Sequence, residues 1–234
     1  MNLLSGNGHL EIPIKGKGSF LISARRSYTD IIRSKLFTNI FDVFDQNDPE
    51  QDAANAFNLE TREVKPDFYY YDVNSKLSFR PSLKDNLSLS LYNGQDYLDE
   101  SRDFTRLLNI PDGTTRNILA QLDDKTDWGN RGASFKWSRQ WDPKFYSNFL
   151  VATSTYFSNF NRIFDLDVTI PEENDSLVID VNIKVLEDNK VNDLTFRLDN
   201  EWQPSKQHKI EFGVWFINTK IDHDFILNDS INIL

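Results

Sequence analysis

The chain has 234 residues, room for one or two domains. Its 26 Lys+Arg against 36 Asp+Glu leave a formal net charge of -10, which argues against nucleic acid as a partner, because phosphate contacts need clustered basic side chains. With no cysteine, a disulfide framework and thiolate-bound zinc or iron–sulfur sites are excluded.

Period-two alternation dominates from the start. Leu10, Ile12 and Ile14 precede the turn Gly16-Lys17-Gly18, and Phe20, Ile22 and Ala24 then alternate with Ser23, Arg25 and Ser27. The spacing of Ile32, Leu36, Ile40 and Phe44 predicts a short amphipathic helix over 31–44, with Thr29 or Asp30 as its N-cap and Pro66 closing the loop that follows. From Tyr69 to Arg80, Tyr69, Tyr71, Val73, Leu77 and Phe79 mark an apolar face, while Tyr70, Asp72, Asn74, Lys76 and Arg80 mark a polar one. The turn at 81–86 leads to Leu89 and Leu91, alternating with Ser88, Ser90 and Tyr92. Ala133, Phe135 and Trp137 alternate with Gly132, Ser134, Lys136 and Ser138 before the turn Asp142-Pro143-Lys144 and a long run, 145–161. Leu194, Phe196, Leu198 and Trp202 lie opposite Thr195, Arg197, Asp199 and Glu201, and the turn 204–207 opens into Ile210, Phe212, Val214 and Phe216.

These elements predict an all-β fold: an antiparallel up-and-down meander of about eight long strands in four hairpins. Tight turns fall at one end and long loops, 31–66, 105–127 and 163–191, at the other. That asymmetry, the strand lengths and two clusters of aromatics predict a partial transmembrane β-barrel. One aromatic cluster includes Trp137, Trp141 and Trp202 near the turns, and the other Tyr69, Trp128 and Tyr156 toward the loops. No stretch approaches the roughly 18–20 apolar residues of a transmembrane helix. Met1 to Gly8 lack the basic and apolar regions of a signal peptide.

Several phrases resemble the barrel strands of TonB-dependent outer-membrane receptors of the Bacteroidetes type. They are Leu10–Ile14, Ser19–Asp30 with its Arg25-Arg26-Ser27-Tyr28, Pro66–Phe79, Asn86–Asp96 and Trp128–Trp137. The resemblance implies a bacterial outer-membrane location and active uptake of a scarce nutrient such as a ferric siderophore. It also implies partners: membrane lipid, a plug domain with the remainder of the barrel, the TonB complex reached through an N-terminal part, and a small-molecule nutrient. The chain departs from the family plan in having no plug-like segment, no TonB-binding box and too few strands. Residues 1–234 are therefore expected to be a single segment of a larger barrel. The alternatives are a complete small outer-membrane barrel with a structural or adhesive role, and a soluble secreted all-β binding module.

No P-loop, dinucleotide-binding glycine pattern or nucleophile elbow is present, so no enzyme and no cofactor are expected. Asp222-His223-Asp224 has metal-ligating residue types, but a solvated strand end is the expected reading. The acidic clusters Asp99, Glu100, Asp103 and Glu172, Glu173, Asp175 read as solvated loop. By facing alone, the candidate lumen residues are Arg25, Tyr70, Asp72, Lys76, Tyr92, Asp96, Lys136 and Arg197.

Overall fold

The computed structural model describes residues 4–32, 60–61, 67–109, 115–171 and 176–233, with Ser34, Lys35, Phe37 and Asn39. Among the described residues, ten strands form one antiparallel sheet: β1 (Ser5–Ile14), β2 (Gly18–Ser27), β3 (Glu60–Thr61), β4 (Asp67–Phe79), β5 (Asp85–Asp99), β6 (Arg102–Asn109), β7 (Thr115–Asp142), β8 (Phe145–Pro171), β9 (Ser176–Ser205) and β10 (His208–Ile233). The path runs β1-β2-β4-β5-β7-β8-β9-β10, with β6 on β7 and β3 on β6. β5 and β6 lie end to end along β7, broken at Glu100 and Ser101, where the Glu100 amide donates to the Asp124 carbonyl at 2.8 Å.

The tight turns are built from local chemistry. At the first, Gly16 has φ of 66°, a left-handed value glycine adopts without strain, and the Lys17 amide donates to the Ile14 carbonyl at 2.7 Å. At the second, the Ser82 hydroxyl accepts from the amides of Lys84 and Asp85, both at 3.1 Å. Asp142 Oδ1 accepts from the Lys144 amide at 2.7 Å in the third.

Two expectations about elements are corrected. Within the stretches read as loops, 31–66, 105–127 and 163–191, residues 60–61, 105–109, 115–127, 163–171 and 176–191 are strand: they belong to β3 and β6 and to β7, β8 and β9, which run to 28, 27 and 30 residues. Of the helix expected over 31–44, Lys35, Phe37 and Asn39 are helical; Arg33, Leu36, Thr38 and 40–44 lie outside the described residues.

The barrel is not formed. Among the described residues β1 is bonded only to β2, and β10 only to β9, so the sheet is open at both ends of its path. The face expected to meet lipid does not fit either. Its fully apolar registers are two: Ile14, Gly18, Phe79, Leu87, Trp137, Phe149, Leu198, Val214, then Ile12, Phe20, Leu77, Leu89, Phe135, Val151, Phe196, Phe216. A third register already mixes Leu10, Ile22, Leu91, Ala133 and Leu194 with Ser75, Thr153 and Asn218. At about 3.4 Å per residue this band is roughly 14 Å tall, short of the apolar band of an outer-membrane barrel, roughly 25 Å. Beyond it the same face carries Asp127, which accepts from Asn159 at 3.2 Å and from Gln95 at 3.4 Å.

A small hydrophobic core sits at the end away from the tight turns, on the opposite face. Phe104, Ala120 and Leu122 are 5–6% exposed, and Phe164 and Leu166 pack against them.

Candidate binding face

Adjacent strands place directly paired residues on one side of the sheet, so the register alone assigns faces. All eight candidates named from the sequence share the face opposite the apolar band. Arg25 pairs with Asp72, Tyr70 with Asp96, and Tyr92 with Asn74 next along β4; Lys76 pairs with Ser90, and Lys136 and Arg197 flank Leu150. This face lines no lumen, because the sheet does not close.

Five of the eight come together. Arg25 donates from Nε to Asp72 Oδ2 at 2.7 Å, and its Nη2 lies at the same distance from that oxygen. The guanidinium carbon stands 5.0 Å from the centre of the Tyr70 ring, a cation–π geometry. The Asp72 hydrogen bond raises the Arg25 pKa further, so the guanidinium is a fixed charge. Asp96 is half-buried beside this pair. Burial pushes its carboxyl above the ordinary range; Arg25 pulls it down and Asp72 pushes it up. Tyr92 completes the group by folding back over Gly94, the residue paired with Asp72: a Cβ at 94 would lie 2.4 Å from the Tyr92 hydroxyl and 3.3 Å from the Asp72 Cβ. Glycine here makes the seat for the ring.

The other three stand apart. From β2 to β9 is five strands along the path, roughly 24 Å at about 4.8 Å per strand, so Arg25 and Arg197 do not share one small ligand. Arg197 is engaged with Asp199, its Nε 2.7 Å from Oδ2, at the rim of a shallow groove with Tyr146, Glu201 and Glu211.

Trp128 is a further aromatic of this face that the residue types alone did not single out as a site: it pairs with Asp96 across β5 and β7. Asn130 follows it, paired with Gly94. Alternation marks which side of its own strand a residue takes, but only the β5–β7 register brings Trp128 beside Asp96. The metal-type triplet is split. His223 pairs with Asn189, its Nδ1 2.6 Å from Asn189 Oδ1, while Asp222 and Asp224 point to the other face. Asp99 is used locally, accepting from the Ser101 amide at 3.0 Å, and Glu172, Glu173 and Asp175 lie outside the described residues. Among the described residues no group of three or more metal-ligating side chains converges.

No protein-family model matches the chain, and no curated protein matches it. The resemblance to TonB-dependent receptors therefore gains no support. It is overturned by the open sheet and by the paired polar groups carried on both faces: Arg25–Asp72 and Arg162–Asp124 on one, Asp127 with Asn159 and Gln95 on the other. Siderophore uptake, the outer-membrane location, and lipid, plug-domain and TonB partners fall with it.

Proposed function

We propose that the chain is a soluble, non-catalytic all-β binding module, and that its ligand is a neutral, hydroxyl-rich small molecule of the saccharide class seated on the polar face. One observation carries the reading: a fixed Arg25–Asp72 pair and the half-buried Asp96 are set among Tyr70, Tyr92 and Trp128 on a single side of an open sheet. Aromatic rings offer flat apolar faces for the C–H side of a sugar ring, and charged groups beside them form directional, charge-assisted hydrogen bonds to hydroxyls. A cationic ligand is disfavoured, because Arg25 already occupies the Tyr70 face. An anionic one would meet Asp72 and Asp96.

Binding rather than catalysis is supported by the state of the carboxylates. Asp72 is engaged by Arg25, and the groups are laid out on an exposed surface rather than in a closed cleft that excludes water. The test is titration of the full chain with a panel of neutral oligosaccharides, read by tryptophan fluorescence and calorimetry. Saturable binding is expected, weakened at least tenfold by Asp96→Ala and by Tyr92→Ala and unchanged by Leu83→Ser in the exposed turn. Absence of saturable binding across the panel, or binding indifferent to both site variants, overturns the reading.

A further inference from the structure

The two sheet edges are built differently. β1 is short, 10 residues, and carries Pro13, Gly6 and Gly8, which weaken or interrupt further strand pairing. β10 offers 26 residues with no proline, bonded on one side only among the described residues, and nearly every residue is exposed. Val214, Trp215, Phe216, Ile221, Ile231 and Ile233 are each 60–70% exposed. A free edge of this length with large apolar side chains is a template for a further strand. Pairing β10 of one copy to β1 of another would cover 10 residues and leave the rest of β10 bare.

β10 is, however, complementary to itself. Two copies placed antiparallel about Ile221 set Lys220 opposite Asp222, Asn218 opposite Asp224, Ile217 opposite Phe225, Phe216 opposite Ile226 and Trp215 opposite Leu227. No two like charges stand directly opposite from 209 to 233. Moving the centre by one residue destroys this: about residue 220, lysine faces lysine, and about residue 222, aspartate faces aspartate. Directly opposed like charges are unfavourable in a sheet and opposed unlike charges favourable, and about Ile221 the apolar side chains 215–217 also meet 225–227, so charge and apolar contact together favour this register over its immediate neighbours. In that register even residues face even residues, so the apolar band and the polar face each continue across the seam. The contact is isologous and closes as a two-fold dimer.

We propose that β10 is a dimerisation edge, joining two copies of this chain antiparallel about Ile221 into one continuous sheet.

Lys220 and Asp222 supply the test, because each copy contributes both. Within one strand they already touch, Nζ to Oδ2 at 2.9 Å, on the surface; across β9 Lys220 faces Asn192 whereas Asp222 faces Lys190, so Lys220→Asp is the variant that leaves the monomer's own pairing least disturbed. Sedimentation of the full chain over a range of concentrations should show a monomer–dimer equilibrium. Lys220→Asp alone sets aspartate against aspartate at both ends of the two-fold centre, and Asp222→Lys alone sets lysine against lysine. Each should weaken dimerisation at least tenfold, while the double exchange K220D/D222K should restore it. Unchanged circular dichroism and Tm in Lys220→Asp separate loss of association from loss of fold. Register is read independently: the native chain has no cysteine, so in Ile221→Cys the single thiol of each copy meets its own mate, and oxidation should give a covalent dimer. A chain that sediments as a monomer throughout overturns the proposal. So does a dimer that ignores both charge reversals, as stacking through the apolar band would give, or one in which I221C does not cross-link.

Discussion

The end of the sheet at the tight turns and the end away from them are held by different means. Near the turns the two fully apolar registers are exposed or half-buried: Leu89 is 42% exposed, Phe135 40% and Val214 70%, while Phe79, Trp137 and Phe149 are half-buried, so their removal from water is incomplete. That end is kept in shape by backbone pairing and by the turns. At the other end Phe104, Ala120 and Leu122 are nearly sealed, and polar groups are paired: Asp124, 7% exposed, accepts from Arg162 Nε at 3.0 Å and is bridged to the β5–β6 break by Ser101. Among the described residues, apolar side chains are thus plentiful where they stay exposed and sparse where the core is. The amount of apolar sequence does not tell where burial stabilises.

The contrast is broken most directly by equal truncations at the two ends. Leu122→Ala should cost about 2–3 kcal/mol in urea unfolding, since it empties a packed site. Leu89→Ala should cost below about 1 kcal/mol, because that side chain is only partly withdrawn from water. Equal losses would mean that the apolar band is covered in solution and that the turn end holds a second core. Arg162→Ala comes next, at about 1–2 kcal/mol: it leaves the Asp124 carboxylate in place without its main cation, and partial exposure of the arginine limits the loss. The same unfolding series measures it, and a neutral result would assign the far end's stability to apolar packing alone.

Much of this division was visible in the sequence, but not its meaning. The hairpins followed from alternation such as Leu77 and Phe79 against Lys76 and Ser78, and the turns from Gly16, Pro143 and Pro204. Parts of β6, β7, β8 and β9 read as loop, although the segments in β8 and β9 alternate well. Leu177, Ile179, Val181, Ile183 and Val185 lie against Asp180, Asn182 and Lys184, and Phe164, Leu166, Val168 and Ile170 against Asp165 and Asp167. Dense acidic residues there look like solvated loop, and strands near 30 residues lie far outside the usual length of about 5–6. What each face meets was beyond alternation altogether, because period two separates the sides of a strand and is silent on their surroundings. The same limit hid the site: Arg25 and Asp72 are 47 positions apart, and only the β2–β4 register joins them.

β5 passes through both regions, and its carboxylates sharpen the comparison. Asp85, at its turn end, is held below the ordinary carboxylate range by hydrogen bonds: first from the Ser82 hydroxyl at 2.6 Å, then from Trp137 Nε1 at 3.0 Å, with Arg139 at 3.2 Å adding charge. A lowered folded pKa stabilises above the unfolded value, about 3.9, and that contribution is lost as pH falls through the folded value. Asp85→Asn should therefore lower Tm at neutral pH, and the deficit should vanish in strong acid. A deficit that persists in acid would make the turn's contribution steric rather than ionic.

Asp96, farther along the same strand, should behave oppositely and less strongly. Burial raises its folded pKa, so the native state binds the proton more tightly than the unfolded chain does. Stability then falls as pH rises from about 3.9 through the folded value and stays reduced above it. Asp96→Asn removes the charge that burial penalises and should raise stability slightly at neutral pH, the gain being small because the group is partly solvated. The gain should disappear below about pH 3.9, where the native carboxyl is protonated in both states. The measurement is Tm against pH for the two chains, set beside saccharide titration of each. Carboxylates retained at a cost to stability are characteristic of binding surfaces, where a group is placed for its ligand rather than for the fold. A variant that gains stability and loses the ligand fits that account, whereas one that loses stability at neutral pH would make Asp96 a structural member of the Arg25–Asp72 cluster.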